Sequence, residues 1–64
     1  MTVEQAVTNQ WRRYQRAWFV STPTVAYRFG ALCALSSVAA EADLPDLSEA
    51  IHSAAQEILQ EVTP

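Results

Sequence analysis

Side chains able to do chemistry are sparse in this sequence, and their spacing limits what they can do. Cys33 is the one cysteine and His52 the one histidine. A zinc site takes three or four ligands, yet His52 has Glu49 three residues before it and no second histidine or cysteine nearby. His52 therefore reads as a solvated helix-surface residue, and no metal is expected. Cys33 sits inside an apolar run, where a thiol packs as a small hydrophobe, and a lone cysteine excludes an internal disulfide. Glu57 and Glu61 are one helical turn apart, and Asp46 and Glu49 are near neighbours. Paired carboxylates work as acid and base only in a cleft that shifts their pKa values; on a polar helix face they are solvated. No Gly-rich phosphate loop, nucleophile motif or zinc spacing occurs. The expectation is a non-catalytic protein with no cofactor.

The densest cluster is WRRYQRAWF, Trp11 to Phe19, where arginines alternate with aromatic rings. Nucleic-acid binders use that combination, with arginine on phosphate and rings stacked on bases. Helical spacing argues against it here. Trp11, Tyr14 and Trp18 share one face, whereas Arg12, Arg13 and Arg16 point elsewhere, and rings turned inward cannot stack on bases. Tryptophan and arginine also dominate protein-binding hot spots. Trp18, Phe19 and Val20 are consecutive, so they cannot all enter one small core, and at least one is exposed or in an interface. Arg12, Arg13, Arg16, Trp18 and Phe19 are therefore candidate contacts for a protein partner whose identity the sequence does not give. A nucleic-acid partner bound by Arg12, Arg13 and Arg16 ranks below it.

The formal charge of −3 conceals an asymmetry. Up to Ala40 there are four arginines against Glu4; from Glu41 onward there are six acids and no Lys or Arg. The halves attract, either by docking the last helix on the first within one chain or by head-to-tail contact between chains. Glu49, Glu57 and Glu61 on the last segment support an alternative function: an acidic helix that imitates the phosphate line of a nucleic acid and blocks a nucleic-acid-handling system, as phage anti-defence inhibitors do.

The elements that position these residues follow from periodicity. Sixty-four residues make one domain, residues 1–64, near the lower limit for a single core. Half of the residues are hydrophobic and 17% are charged, which favours a folded helical chain. Thr2-x-x-Gln5 is a capping box. After it, Val3, Val7, Trp11, Tyr14 and Trp18 form a stripe, predicting a helix over Val3 to Val20. Pro23 suits a first helical turn, so the second helix is expected over Pro23 to Ala42 with Thr22 or Ser21 as its cap. Asp43 is placed to cap a third helix over Leu44 to Val62, whose stripe is Leu44, Leu47, Ile51, Ala54 or Ala55, Ile58 and Val62. Thr63 and Pro64 are expected to end it in a frayed turn.

The second helix is the unusual one. Val25, Tyr27, Phe29, Leu32, Leu35 and Val38 surround it, while Ala26, Gly30 and Ala34 make a small-residue stripe at four-residue spacing. Helices apolar all round are buried all round, and small stripes admit another backbone. Alternatively, Ala31, Ser36, Ser37, Ala39 and Ala40 simply face water. The uncharged run from Phe29 to Ala40 is 12 residues, short of the roughly 20 that a membrane span needs, and Met1 to Gln10 has no signal-peptide character. The sequence thus predicts an all-α three-helix bundle, homodimeric through the second helix, at Ala26, Gly30 and Ala34, and parts of the first. It is expected to be cytoplasmic, without membrane contact, and to act as an adaptor, regulator or inhibitor through protein contacts.

Overall fold

Thr2 starts the chain's first helix as its spacing requires. Its Oγ1 accepts from the Gln5 backbone N–H at 3.1 Å, and Gln5 Oε1 accepts from the Thr2 N–H at 2.9 Å. Two of the N–H groups that a helix start leaves unpaired are thereby satisfied. In the computed structural model, which describes residues 1–62, this helix is α1, Val3–Val20; α2, Val25–Glu41, and α3, Pro45–Gln60, follow. The all-α, three-helix architecture is as the periodicity predicts, with no strand among the described residues.

The second helix begins two residues later than expected. The Thr22 hydroxyl donates to the Trp18 carbonyl at 2.6 Å, so it finishes α1 instead of capping α2, and the Ser21 N–H bonds the Ala17 carbonyl. Thr24 is the cap, its Oγ1 accepting from the Tyr27 N–H at 3.2 Å. Pro23 therefore lies in the linker, where Arg28 Nε donates to its carbonyl at 3.3 Å.

Asp43 does not cap the third helix. It adopts φ 62°, the left-handed conformation, at the end of α2. The Asp43 N–H reaches the Ala40 carbonyl at 3.1 Å and the Leu44 N–H reaches the Ala39 carbonyl at 2.9 Å. These are the two bonds of a Schellman motif, which closes a helix C-terminus through a left-handed residue. Leu44 occupies the N-cap position of α3 without a side-chain bond, and Pro45 opens the helix. At the other end α3 stops at Gln60, with Glu61 and Val62 in a turn. The ending expected at Thr63 and Pro64 lies outside the described residues.

Packing is concentrated between α2 and α3, which run antiparallel: Ser36 meets Ser48 near their turn, and Arg28 meets Glu61 at the far end. Leu32 and Ala39 of α2 join Ile51, Ala55 and Ile58 of α3 in the buried core. Ser36 and Ala39 are thus core residues, not water-facing ones, while Ser37 and Ala40 are exposed. The Ser36 hydroxyl donates to the Ser48 carbonyl and the Ser48 hydroxyl to the Ser36 carbonyl, each at 2.9 Å. This reciprocal pair satisfies a polar contact inside an otherwise apolar interface. Helix α1 adds a single fully buried residue, Val7; Trp11, Tyr14 and Trp18 pack half-buried against the core, and Val3 remains exposed. Among the described residues no helix is long and apolar enough to cross a membrane.

Candidate interaction surfaces

Turning Val7, Trp11, Tyr14 and Trp18 inward fixes the roll of α1, and residues three and four apart then line its opposite side. Arg12, Arg13, Arg16 and Phe19 are all exposed there, flanked by Asn9 and Val20, along one shallow concavity. Phe19 is 91% exposed and Val20 86%. Aromatic side chains and arginine are residue types enriched at protein interfaces.

Trp18 behaves differently from its neighbour. Its ring stacks on Tyr14 at 4.7 Å with 11° between planes and meets Tyr27 edge-on at 6.5 Å. These contacts hold it at the seam between α1 and α2. Of the three consecutive residues Trp18, Phe19 and Val20, two are exposed.

A second open face belongs to α2. Ala26, Gly30 and Ala34 are exposed, and a methyl group added at Gly30 would meet nothing within 4 Å. Tyr27 and Val38, 59% and 47% exposed, extend this face. No charged side chain lies on it between Thr24 and Glu41, because Arg28, the one charge in that stretch, turns toward α3 and pairs with Glu61 at 3.0 Å.

The third face is acidic. Asp46, Glu49 and Glu57 are exposed on α3 at spacings that keep them on its outer side. Glu61 is set apart from them: it follows the helix and its carboxylate is held by Arg28. That is the sole ion pair among the described residues, so the docking of basic on acidic half within the chain comes down to one contact. His52 is exposed on the same helix and lies 3.3 Å from the Gln56 amide. No group of three or more His, Cys, Asp or Glu among the described residues could hold a metal. Cys33 is a free thiol packed half-buried against the core.

Sequence reasoning missed the roles of Ser36, Ser48 and Arg28. A serine in an apolar helix facing a serine on the next helix is a signal, but only once the pairing of the two helices is known. No protein-family model matches the chain, and comparison with curated proteins and with solved structures gives no match either. Fold and surfaces define the class: a small all-α protein with three chemically distinct faces, one basic and aromatic, one uncharged and one acidic.

Proposed function

We propose that this protein acts without catalysis, in the cytoplasm, as an adaptor, regulator or inhibitor that binds a larger protein through the outer face of α1. The observation that carries the reading is the bare Phe19 ring beside Arg12, Arg13 and Arg16, none of which is paired within the chain's described residues. A helix face with that composition is stable in water but matches the make-up of binding hot spots. Pairing with a second copy through Ala26, Gly30 and Ala34 belongs to the same reading, since it leaves the α1 face free. Support for that pairing is the absence of charge along the exposed side of α2.

The test combines solution mass with partner capture. Light scattering over a dilution series should give a dimer that dissociates on dilution. Proximity cross-linking in cells should then recover one partner with the parent chain and lose it with Arg12→Ala, Arg13→Ala and Arg16→Ala together. Recovery unchanged by the triple variant, in a chain still helical by circular dichroism, refutes the α1 face as the docking site.

A second reading uses the outer face of α3. Glu49 and Glu57 have no cationic partner among the described residues, and with Asp46 they extend along one side as a phosphate line would. Reversing Glu49, Glu57 and Glu61 to lysine should then end binding to a basic, nucleic-acid-handling partner. Intact binding excludes the mimic.

A further inference from the structure

The basic and acidic halves of the chain can neutralise one another only where they meet, and among the described residues they meet once, at Arg28 and Glu61. Arg12, Arg13 and Arg16 are left exposed on the side of α1 opposite its core stripe. We infer that the occupant of this face is an acidic amphipathic helix of another protein, an inference that rests on the reading of α1 as a protein-docking face.

Three features select that chemistry. Arg12 and Arg16 are one turn apart, about 6 Å along the axis, with Arg13 beside them. Carboxylates one turn apart on a partner helix match that spacing, and each can accept a forked pair of hydrogen bonds from a guanidinium. Phe19 and Val20 follow one turn beyond Arg16 and need an apolar seat, which a helix carrying leucine or isoleucine beside its acids supplies and a phosphate chain does not.

The chain's own charge distinguishes among anions. Of the six acids from Glu41 onward, the five other than Glu61, which Arg28 pairs, repel an extended polyanion such as a nucleic acid or an anionic bilayer. A short acidic helix meets only the α1 face and lies outside most of that field, which salt screens within about 8 Å. A second copy of the chain offers Asp46, Glu49 and Glu57, but the outer side of its α3 exposes no leucine, isoleucine, valine or phenylalanine to receive Phe19.

The experiment is fluorescence anisotropy with a labelled helical peptide of about sixteen residues, glutamates at one-turn spacing beside a leucine stripe. Its lysine-for-glutamate counterpart, an oligothymidylate and phosphatidylglycerol vesicles serve as comparators. The acidic peptide should bind, weakening roughly tenfold between low and moderate salt as the charges are screened. Phe19→Ala should weaken it roughly tenfold at constant salt, the scale of a hot-spot residue. The triple arginine-to-alanine variant, folded by circular dichroism, should not bind. Equal binding of the lysine peptide overturns the acidic chemistry and leaves protein docking standing. Binding of oligothymidylate or vesicles with the peptide ignored overturns both. Peptide binding that survives the triple variant, or salt-sensitive growth in mass of the chain alone in place of peptide binding, assigns the face to something other than an acidic partner helix and also overturns the inference.

Discussion

Gly30 gives the sharpest perturbation, because the open and the covered state of α2 respond to the same methyl group with opposite sign. In the single chain an added Cβ at Gly30 meets nothing within 4 Å, so Gly30→Ala reduces to helix propensity, a gain of about 0.8–1.0 kcal/mol. For a domain of this size 1 kcal/mol corresponds to roughly 4–8 °C in Tm. Gly30→Ala should therefore melt about 4–8 °C above the parent in dilute solution. Where two copies pair across Ala26, Gly30 and Ala34, the same methyl holds the backbones apart, and the gain should shrink or reverse as concentration rises. Gly30→Leu enlarges the obstruction and should leave only monomer. Thermal unfolding followed by circular dichroism at two concentrations, with light scattering on the same samples, reads both effects. A gain independent of concentration, with Gly30→Leu keeping the parent's mass, refutes pairing through α2. No gain in dilute solution would contradict the open face itself.

Other positions make separate predictions. Ser36→Ala and Ser48→Ala should each destabilise by about 1 kcal/mol, the penalty of breaking a part-buried hydrogen-bonded pair. The double variant should lose little more than either single one; additive losses in urea unfolding would mean the hydroxyls do not depend on each other. Asp43→Gly should stabilise by about 0.5 kcal/mol, because Gly adopts the left-handed conformation of this position without the side-chain penalty; a loss in the same unfolding assay would place a needed contact on the Asp43 side chain. Glu61→Gln should cost less than about 1 kcal/mol, its half-exposed ion pair being weak. Arg28→Ala should cost more, since the Arg28 stem is packed and its Nε bonds the Pro23 carbonyl, and a reversed order in thermal melts would refute that distinction.

Much of this fold can be read in the chain because helix starts and stripes are local. The Thr2 box and the Val7, Trp11, Tyr14, Trp18 spacing place α1 at Val3–Val20, the bounds observed. Boundaries that depend on a choice between hydroxyls are less legible: the sequence assigns the α2 cap to Thr22 or Ser21, whereas Thr24, on the far side of Pro23, makes the capping bond. Thr22 is claimed by the Trp18 carbonyl, which leaves Thr24. Asp43, read from the sequence as the cap of α3, instead takes a left-handed position at the end of α2, which an aspartate also tolerates. The Schellman bonds decide for the second, because they satisfy the carbonyls of Ala39 and Ala40.

The candidate faces divide along a similar line. Arg12, Arg13 and Arg16 are placed on one side by sequence spacing alone, whereas the exposure of Phe19 depends on the roll of α1 against its neighbours. That roll is set by Val7 and by the Tyr14–Trp18–Tyr27 ring contacts, which involve residues on another helix. The same contacts connect packing to recognition. Val7 is the one fully buried side chain that α1 brings to the core, and burying a valine contributes only about 1.5–3 kcal/mol. Helix α1 is therefore held largely by its half-buried aromatic seam. If the proposed partner binds only the docked helix, its binding stabilises that docking by mass action, which would couple recognition on the outer face to the packing of α1.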